Sequence, residues 1–565
     1  MKNIKILLVL LLSLLVFNTI SNSADALEEK KTIRVGISNQ NFSSREHEKI
    51  KISSQDIIKI IDLVQNTRFD DVKAGDEVEI VMNGNTFDIY INDKKKYENL
   101  SGPLLLSSNK PLEVIELNRK GTPAKYEGMF EIKASKKSGY FNLINIVDMQ
   151  TYLKGVVPNE MPVSFGLEAQ KAQAVAARNY VTRAQISPDF DVVDSTSSQV
   201  YYGLNSHTQT SNDAVDETQG IYALYRETPI SALYYSTSPG ISDDWDDVFN
   251  NGIKSNLHPY LKAKYETTNK PLKNEDDVIE FYSSKEGFDV NSPKLRWCVE
   301  FEQKELVDIL NTTLLQQSNA GLVEPKFDKN VKIEGVKEIK PLKRTQSGKI
   351  IELLISTDKG DYKIKKELGI RRVLKKNNSM LASANFYVEK GALVDEDDNE
   401  TQKENHGVIK LFSVINKDKY PDTFKLIGGG FGHGVGMSQY GAYNMAKSGK
   451  KYPEILHFYY TDINISTIPK TVLYNEYNIS YKSEFYFDKK TFNEAYIVID
   501  NKKHVSEFPF KINEYDFSNT KEISNNELLK MNITQYLKQG INCVEFLPLS
   551  AQNKGKFVTY RIELR

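Results

Sequence analysis

The chain has 565 residues, with 74 lysines and arginines against 75 aspartates and glutamates, so its formal net charge is −1. That length has room for two or more domains, and the near-neutral charge gives no electrostatic argument for a nucleic-acid partner. Its two cysteines, Cys298 and Cys543, lie far apart and fit neither a disulfide framework nor the spacing of metal ligands.

Residues 1–26 have the pattern of a secretory signal peptide. Lys2 and Lys5 precede an apolar run over 6–17, and Ala24-Asp-Ala26 has the form of a cleavage site. We therefore predict export, an extracytoplasmic location in the cell envelope, and no membrane span once the signal is removed. The alternative is an uncleaved anchor, although the apolar run is short for a full span.

The region after residue 31 alternates apolar and polar side chains between turn-forming residues, a pattern typical of strands. Six strands are predicted there: 32–38, 77–82, 86–91, 111–117, 129–134 and 140–147. The clearest helix spans 167–185, where Ala169, Ala172, Ala176 and Tyr180 form one stripe at helical spacing. The small side chains of this stripe predict a closely packed neighbour.

The rest of the chain divides by composition. Residues 262–345 are rich in charged side chains and asparagine, which predicts a subdomain inserted into a main domain spanning 27–470. After residue 470, short strand patterns recur, and we predict a C-terminal β-sandwich-like module over 471–565 that binds carbohydrate or packs on the main domain. The predicted fold class is α+β, mixed and rich in strands, with the alanine-rich helix behind the active site.

The most informative segment is 152–162, Tyr-Leu-Lys-Gly-Val-Val-Pro-Asn-Glu-Met-Pro. It places a single carboxylate, Glu160, between two prolines and ahead of the alanine-rich helix. The prolines restrict the local backbone path. Taken alone, the segment fits either an acid held for proton transfer or a glutamate that interacts with the dipole at a helix start.

A second segment, 428–442, has six glycines in its first nine residues and contains His433. Such a backbone turns tightly or approaches another group closely. The segment lacks the lysine and hydroxyl residue of a phosphate-binding loop, and an ordinary turn before a helix remains open. Two further segments, 194–203 and 230–240, contain hydroxyl side chains before a glycine, which suits sugar hydroxyls or simple turns.

Taken in chain order, five segments resemble the SpoIID family of stage II sporulation proteins, which includes the amidase-enhancer (LytB-type) proteins. They are Val-Val-Pro-Asn-Glu-Met-Pro at 156–162, Ala169–Arg178, Gln-Val-Tyr at 199–201, Tyr-Ser-Thr-Ser at 235–238, and Gly-His-Gly-Val-Gly-Met-Ser-Gln-Tyr-Gly-Ala at 432–442. The resemblance covers residues 32–470 and leaves out the C-terminal region.

The resemblance implies a peptidoglycan lytic transglycosylase with Glu160 as its catalytic acid. Protonated Glu160 would donate to the glycosidic oxygen between N-acetylmuramic acid and N-acetylglucosamine. Its carboxylate would then accept the proton of the muramoyl C6 hydroxyl, which attacks C1 and closes a 1,6-anhydro ring. Hydrolysis generally needs two carboxyl groups, whereas this reaction uses one group twice. The acid needs a pKa raised by burial, which the apolar neighbours Val156, Val157 and Met161 favour. The N-terminus of the following helix would lower this pKa, and the sequence does not decide which effect is larger.

Eight further residues are candidates to line the glycan groove: Arg178, Gln199, Tyr201, Ser236, Ser238, His433, Gln439 and Tyr440. His433 has the alternative role of orienting the substrate or Glu160. Some sporulation members hold zinc with histidine and cysteine just before the Gln-Val-Tyr segment. Here those positions, 196–198, are Thr-Ser-Ser, so we predict no metal and no cofactor.

Two other functions remain open at this point. The chain fits a non-catalytic, glycan-binding enhancer of a cell-wall amidase, for which 262–345 would be the docking surface. It also fits a surface adhesin that binds through residues 471–565. The expected partners are peptidoglycan glycan strands and, for the enhancer, the amidase itself.

Overall fold

The computed structural model describes residues 32–250, 252–266, 271–272, 274–391, 421–473, 480–501, 505, 508–517, 528–548 and 556–565. The predicted signal peptide, residues 1–26, lies outside the described residues. The helices of the described ranges are α1 (Met149–Glu160), α2 (Leu167–Arg183), α3 (Gln209–Asp216), α4 (Trp245–Phe249), α5 (Glu275–Ser283), α6 (Gln303–Asn319), α7 (Glu367–Val373), α8 (Gln439–Lys447) and α9 (Tyr452–Tyr459). Short 3₁₀ turns occur at Val163–Phe165, Gly203–Ser206 and Thr534–Tyr536.

The predicted α+β, strand-rich class is confirmed, since these helices pack against several mostly antiparallel sheets. The first sheet has the order Val192–Val193, Thr32–Ile37, Phe141–Asp148, Met129–Ala134, Leu104–Ser107, Ile58–Asp62 and Thr67–Val72, with Glu46–His47 against Phe141–Asp148. The second has the order Thr122–Tyr126, Leu112–Arg119, Lys49–Ser54, Val78–Asn83, Thr86–Ile91 and Lys94–Leu100. The inward side chains of both sheets belong to one hydrophobic core.

The strand Phe141–Asp148 leads directly into the helix that carries Glu160. It pairs antiparallel with a strand on each side, so that Ile144 lies opposite both Gly36 and Glu131. Asp148 ends the strand and caps α1, because its side chain accepts a hydrogen bond of 3.0 Å from the backbone nitrogen of Thr151. The start of α1 is therefore fixed to the centre of the first sheet.

Helix α2 lies between two cores and is buried on nearly every side. Ala174, Ala177 and Val181 pack in the N-terminal core. Ala169 and Ala172 belong to a second core, which contains the C-terminal strands as well as helices α8 and α9. Small side chains are needed on both faces, because layers on each side approach the helix closely.

The C-terminal strands share a sheet with the main domain. That sheet has the order Thr228–Pro229, Tyr222–Tyr225, Asn464–Ser466, Phe557–Leu564, Ala495–Asp500 and Leu528–Asn532, with Lys470–Leu473 also against Phe557–Leu564. A second sheet faces it, in the order Tyr481–Phe487, Gly540–Phe546, Phe510–Ile512 and Tyr515–Phe517. Together they form a sandwich whose core is continuous with the second core around α2.

The middle of the chain has a core of its own, built by α6, α7 and two sheets. One sheet has the order Trp297–Glu302, Thr423–Gly428 and Phe386–Gly391. The other has the order Val323–Glu324, Gly360–Lys365, Ile350–Thr357 and Val336–Arg344. This core therefore extends from Trp297 to Leu426, well beyond residue 345, while the division of the chain into domains stays a prediction. No helix in the described part of the chain combines the length and apolar character that a membrane crossing requires.

Candidate functional site

Glu160 lies at the C-terminal end of α1, and not at the helix start that the local sequence also fits. The helix includes Pro158 and ends at Met161, whose extended conformation (φ −132°, ψ 124°) is the one that a following proline favours. Gln170 of α2 fixes this turn, because its side-chain nitrogen donates to the carbonyls of Met161 (2.7 Å) and Pro162 (3.0 Å). The residue is thus held by the end of one helix and the side of another.

The carboxyl group of Glu160 sits in surroundings that favour its neutral form. Burial raises its pKa to about 7, against the opposing effect of a 2.6 Å hydrogen bond from the backbone nitrogen of Val200 to Oε1. The residue as a whole is half-buried, while its carboxyl group is shielded from bulk water. The negative end of the α1 dipole acts in the same direction as burial.

Three tyrosines surround this carboxyl. Burial raises the pKa of Tyr152, Tyr180 and Tyr234, and the charge of Glu160 raises each of them further, which requires the groups to be close. Tyr152 donates to Oε1 of Gln199 (3.0 Å), and Nε2 of Gln199 donates to the hydroxyl of Tyr234 (3.0 Å). Because the Tyr234 oxygen already accepts from Gln199, its own proton is oriented elsewhere and is available to donate.

The glycine-rich segment reaches Glu160 from the far end of the chain. Tyr234–Tyr235 pairs in parallel with Met437–Ser438. Gln439, which follows this pair, donates from Nε2 to the backbone carbonyl of Glu160 at 2.5 Å. Gly436 has φ +82°, and a Cβ added there would lie 2.0 Å from the carbonyl oxygen of Leu233. Glycine at this position is therefore what lets the two strands approach.

His433 is neutral in this structure. Burial, together with the positive charges of Lys349 and Arg371, lowers its pKa to about 3. Its Nδ1 accepts a hydrogen bond from the backbone nitrogen of Val435 (3.2 Å), so the proton of the neutral ring is assigned to Nε2. A group with so low a pKa does not act as a general acid near neutral pH.

The serines near the glycine-rich segment mainly stabilise the local structure. Ser438 caps α8 by accepting from the backbone nitrogen of Gly441 (3.3 Å), and Tyr440 donates its backbone nitrogen to the carbonyl of Ser236 (3.1 Å). Ser238 is fully buried, with its backbone nitrogen bound to Asp289 at 2.6 Å. The structure therefore gives Ser238 a structural position and leaves Ser236 half-buried beside the cleft.

Two further candidates lie in the interior. Arg178 is 1 % exposed, and its guanidinium donates to the carbonyl of Ile221 (3.1 Å) and to the hydroxyl of Thr218 (3.3 Å). Tyr201 is fully buried, and its hydroxyl donates to Oδ1 of Asn145 (2.9 Å). Both are occupied by protein contacts in the core, so we no longer propose them as glycan contacts.

Gln199 and Gln439 are buried and support the site separately: Gln439 donates to the backbone carbonyl of Glu160, whereas Gln199 bonds to Tyr152 and Tyr234. His433 and Tyr440 are half-buried, so they stay proposals for groove-lining residues. The Tyr440 ring packs edge-on against Phe165, with 4.9 Å between ring centroids.

Sequence reasoning missed Tyr234 and Gln170 as parts of the site. Strand alternation carries the signal for Tyr234, since residues 234 and 236 lie on the same face of an extended segment. Gln170 has no comparable signal, because its role depends on where the turn after Glu160 packs against α2.

Comparisons with known proteins give two family-model matches. Residues 137–225 match the Stage II sporulation protein (SpoIID) model, which contains Glu160 and Gln199. Residues 246–436 match a domain of unknown function, DUF8618, which contains His433. Gln439 and Tyr440 lie in neither match.

Two curated relatives from Bacillus subtilis (strain 168) are similar over more than half of the chain. The amidase enhancer is 28 % identical over 324 residues, which is 56 % of this chain and 40 % of the relative. Stage II sporulation protein D is 29 % identical over 340 residues, which is 57 % of this chain and 75 % of the relative. The chain thus spans less than half the length of the amidase enhancer. Residues 137–225 are therefore a SpoIID domain, and the chain around them is similar to the SpoIID and amidase-enhancer proteins.

Proposed function

We propose that this chain is an exported lytic transglycosylase that cleaves peptidoglycan glycan strands in cell-wall remodelling, with Glu160 as its acid and base. The observation that carries the proposal is the single carboxyl group whose pKa burial raises to about 7. A half-protonated carboxyl near neutral pH can donate a proton and later accept one. Its half-buried position leaves one side open to a polymer.

In the proposed reaction, Glu160 first donates its proton to the glycosidic oxygen, and the bond from that oxygen to C1 of the muramoyl residue breaks. The C6 hydroxyl of the same sugar then forms a bond to C1. Its proton passes to the Glu160 carboxylate, which restores the acid. No water is consumed, so one carboxyl completes the cycle. Val200 stabilises the carboxylate between the two transfers through its backbone hydrogen bond.

The tyrosines and the neutral histidine support this assignment. Tyr234 stands beside Glu160 with its proton available, which suits a contact to a sugar hydroxyl or to the developing charge. The His433 ring lies 5.6 Å from the ring of Phe249, which is 40 % exposed. Phe431, in the same glycine-rich segment, is 41 % exposed. Exposed aromatic faces next to polar groups suit a ligand that is apolar on one side and hydroxylated on the other, as a sugar ring is.

The product identifies the reaction. We expect purified chain incubated with glycan strands to release fragments ending in 1,6-anhydromuramic acid, each lighter than the hydrolytic fragment by one water. In ¹⁸O-labelled water, mass spectrometry should find no label at the new ends, because the C6 hydroxyl is the nucleophile. Labelled reducing ends would show hydrolysis and would contradict the proposed mechanism.

The turnover number should fall as pH rises through about 7, the pKa of Glu160. Below that pH the carboxyl is protonated and donates, whereas above it each further pH unit removes about nine tenths of the acid form. Initial rates of anhydro-product formation between pH 5 and pH 9, at saturating substrate, would measure this. A rate that increases steadily across that range would contradict Glu160 as the acid of the first step.

A second candidate function is an accessory protein that binds glycan and stimulates a cell-wall amidase. The similarity to the amidase enhancer favours it, although the chain covers only 40 % of that protein. In this case the cleft holds glycan without cutting it, and the amidase is the partner.

A further inference from the structure

Four polar side chains lie next to the glycine-rich segment: Tyr235, Glu266, Asp289 and Tyr459. Asp289 and Tyr459 are fully buried, and Tyr235 is 4 % exposed. Both carboxylate oxygens of Glu266 are inaccessible to solvent. The function proposed above does not use any of these four groups.

The oxygens of this cluster lie close to one another and to Ser238 and Phe288, but most of them lack a hydrogen bond of normal geometry. Among the described residues, Oδ1 of Asp289, both carboxylate oxygens of Glu266 and the hydroxyls of Tyr235 and Tyr459 make no hydrogen bond of normal distance and angle. Asp289 uses only its other oxygen, Oδ2, which accepts from the backbone nitrogen of Ser238 (2.6 Å) and from the Ser438 hydroxyl (2.5 Å). Buried polar atoms are rarely left unsatisfied, so five together indicate a missing partner.

Two of these oxygens are close neighbours. A Cβ added to Gly441 would lie 1.9 Å from the hydroxyl oxygen of Tyr459 and 2.9 Å from Oδ1 of Asp289, so both oxygens border one point. Burial raises the pKa of Glu266 well above its ordinary value, and the charge of Asp289 raises it further. The two carboxyl groups are therefore close enough to repel each other when both are ionised.

No positive charge from the described residues compensates this pair. Elsewhere in the interior, Asp194 is paired with Arg119 at 3.1 Å, and Asp243 with Lys349 at 3.5 Å. Glu266 and Asp289 form no such ion pair in the described ranges, and no lysine, arginine or histidine contributes to the pKa of either. Two buried carboxylates are strongly unfavourable unless a proton or a cation neutralises them.

We infer that Glu266, Asp289, Tyr235 and Tyr459 form a buried site for a hard divalent cation, Ca²⁺ ahead of Mg²⁺. A donor set made only of oxygen selects hard cations, and a divalent charge balances two carboxylates. The described residues hold no group of three or more histidine, cysteine, aspartate or glutamate side chains arranged for a metal, so hydroxyl oxygens complete this site. Ca²⁺ tolerates irregular geometry, whereas Mg²⁺ usually keeps several waters, for which an enclosed site leaves little room.

This proposed site differs from the sequence-based prediction of no metal. Its test is independent of the reaction proposed for Glu160. Its role is structural. Asp289 binds Ser238 and Ser438, and Ser438 caps the helix whose first residue, Gln439, holds the carbonyl of Glu160. A cation here would thus fix the glycine-rich segment against the strand Tyr234–Tyr235.

Calcium content and thermal unfolding of the full chain test the site. After dialysis against EDTA and titration with Ca²⁺, we expect saturable binding of about one Ca²⁺ per chain and a rise in Tm of at least about 3 °C. Equal concentrations of Mg²⁺ should raise Tm less. Tb³⁺, a luminescent substitute for Ca²⁺, should be sensitised by the two tyrosines and displaced by Ca²⁺. No binding and no shift in Tm would overturn the site, and an equal shift with Mg²⁺ would overturn the preference for Ca²⁺.

Charge-removing variants locate the binding. Glu266→Gln and Asp289→Asn keep the size of each side chain, and each should abolish the Ca²⁺-dependent rise in Tm and the Tb³⁺ signal. In EDTA, Glu266→Gln should be at least as stable as the unsubstituted chain, because it removes a buried charge that makes no hydrogen bond of normal geometry. Glu280→Gln, an exposed acid on α5, is the matched control and should respond to Ca²⁺ normally. A full response in Glu266→Gln would place the ion elsewhere and reject this site.

Discussion

Replacing Glu160 with glutamine is expected to lower the rate of anhydromuramic product formation by about 10³-fold or more, because glutamine cannot transfer a proton. The substitution preserves size, and the amide oxygen can still accept the hydrogen bond from the Val200 backbone nitrogen. Chromatography of the released fragments measures the rate. Glu127→Gln, an exposed acid whose carboxylate meets Thr151 at the start of α1, should remain fully active.

The same variant makes a prediction about stability that needs no substrate. Folding shifts the pKa of Glu160 from 4.5 to about 7, so the folded chain binds more protons than the unfolded chain between these pH values. The cost of keeping this carboxylate charged in the fold therefore grows with pH and reaches at most about 3 kcal/mol above pH 7.

Glu160→Gln should consequently have a higher Tm than the unsubstituted chain at pH 8, and the difference should vanish as pH falls towards 4.5. Thermal unfolding at several pH values measures it. A difference in Tm that does not change with pH would mean that the carboxyl is not desolvated, and the acid role would lose its physical basis.

Amidase assays with this variant separate the two candidate functions. A lytic transglycosylase needs the titrating acid, whereas an accessory protein needs only the shape of the cleft. Stimulation of an amidase by Glu160→Gln, together with no anhydro product from either form of the chain, would favour the accessory role.

The substitution Gly436→Ala is expected to cost about 2–5 kcal/mol of folding free energy. The positive φ of +82° is unfavourable for alanine, and the new methyl group would lie 2.0 Å from the backbone oxygen of Leu233. Because backbone atoms cannot move aside cheaply, the pairing of Tyr234–Tyr235 with Met437–Ser438 would open. Denaturant unfolding and product assays should then report loss of both stability and activity.

Gly449→Ala is the matched control for this substitution. Gly449 also has a positive φ, +94°, but a Cβ added there meets nothing within 4 Å. It should cost only about 1 kcal/mol, the price of the backbone conformation alone. Equal losses in the two variants would show that the close approach at Leu233 does not matter.

Local patterns predict the regular elements of this chain well. The strand pattern at 129–134 matches Met129–Ala134, and the helix pattern at 167–185 matches Leu167–Arg183. The segment around Glu160 is different, because its pattern predicted no helix, whereas α1 spans it and continues through Pro158. Packing against α2 and the first sheet outweighs the local preference there.

The assembly of the site lies beyond local sequence reasoning. Tyr234 meets Met437 across some two hundred residues, and a sequence pattern does not encode such a register. The pKa of Glu160 could not be predicted either, because burial and hydrogen bonding oppose each other and only the coordinates show that burial dominates. The sequence motifs predicted Glu160 and the glycine-rich segment as parts of the site, whereas the residues that support them were identified only in the structure.

The strand Phe557–Leu564 has a consequence for how this polypeptide matures. It lies between Asn464–Ser466 and Ala495–Asp500 in the sheet that begins at Tyr222–Tyr225. Ser466 and Thr467 bind it directly through the backbone of Ile562. The chain must therefore be synthesised as far as Leu564 before the sheet that packs against α2 can form completely. Chains truncated near residue 470 would be exported with an open flank, so their inactivity would say nothing about carbohydrate binding by the missing strands.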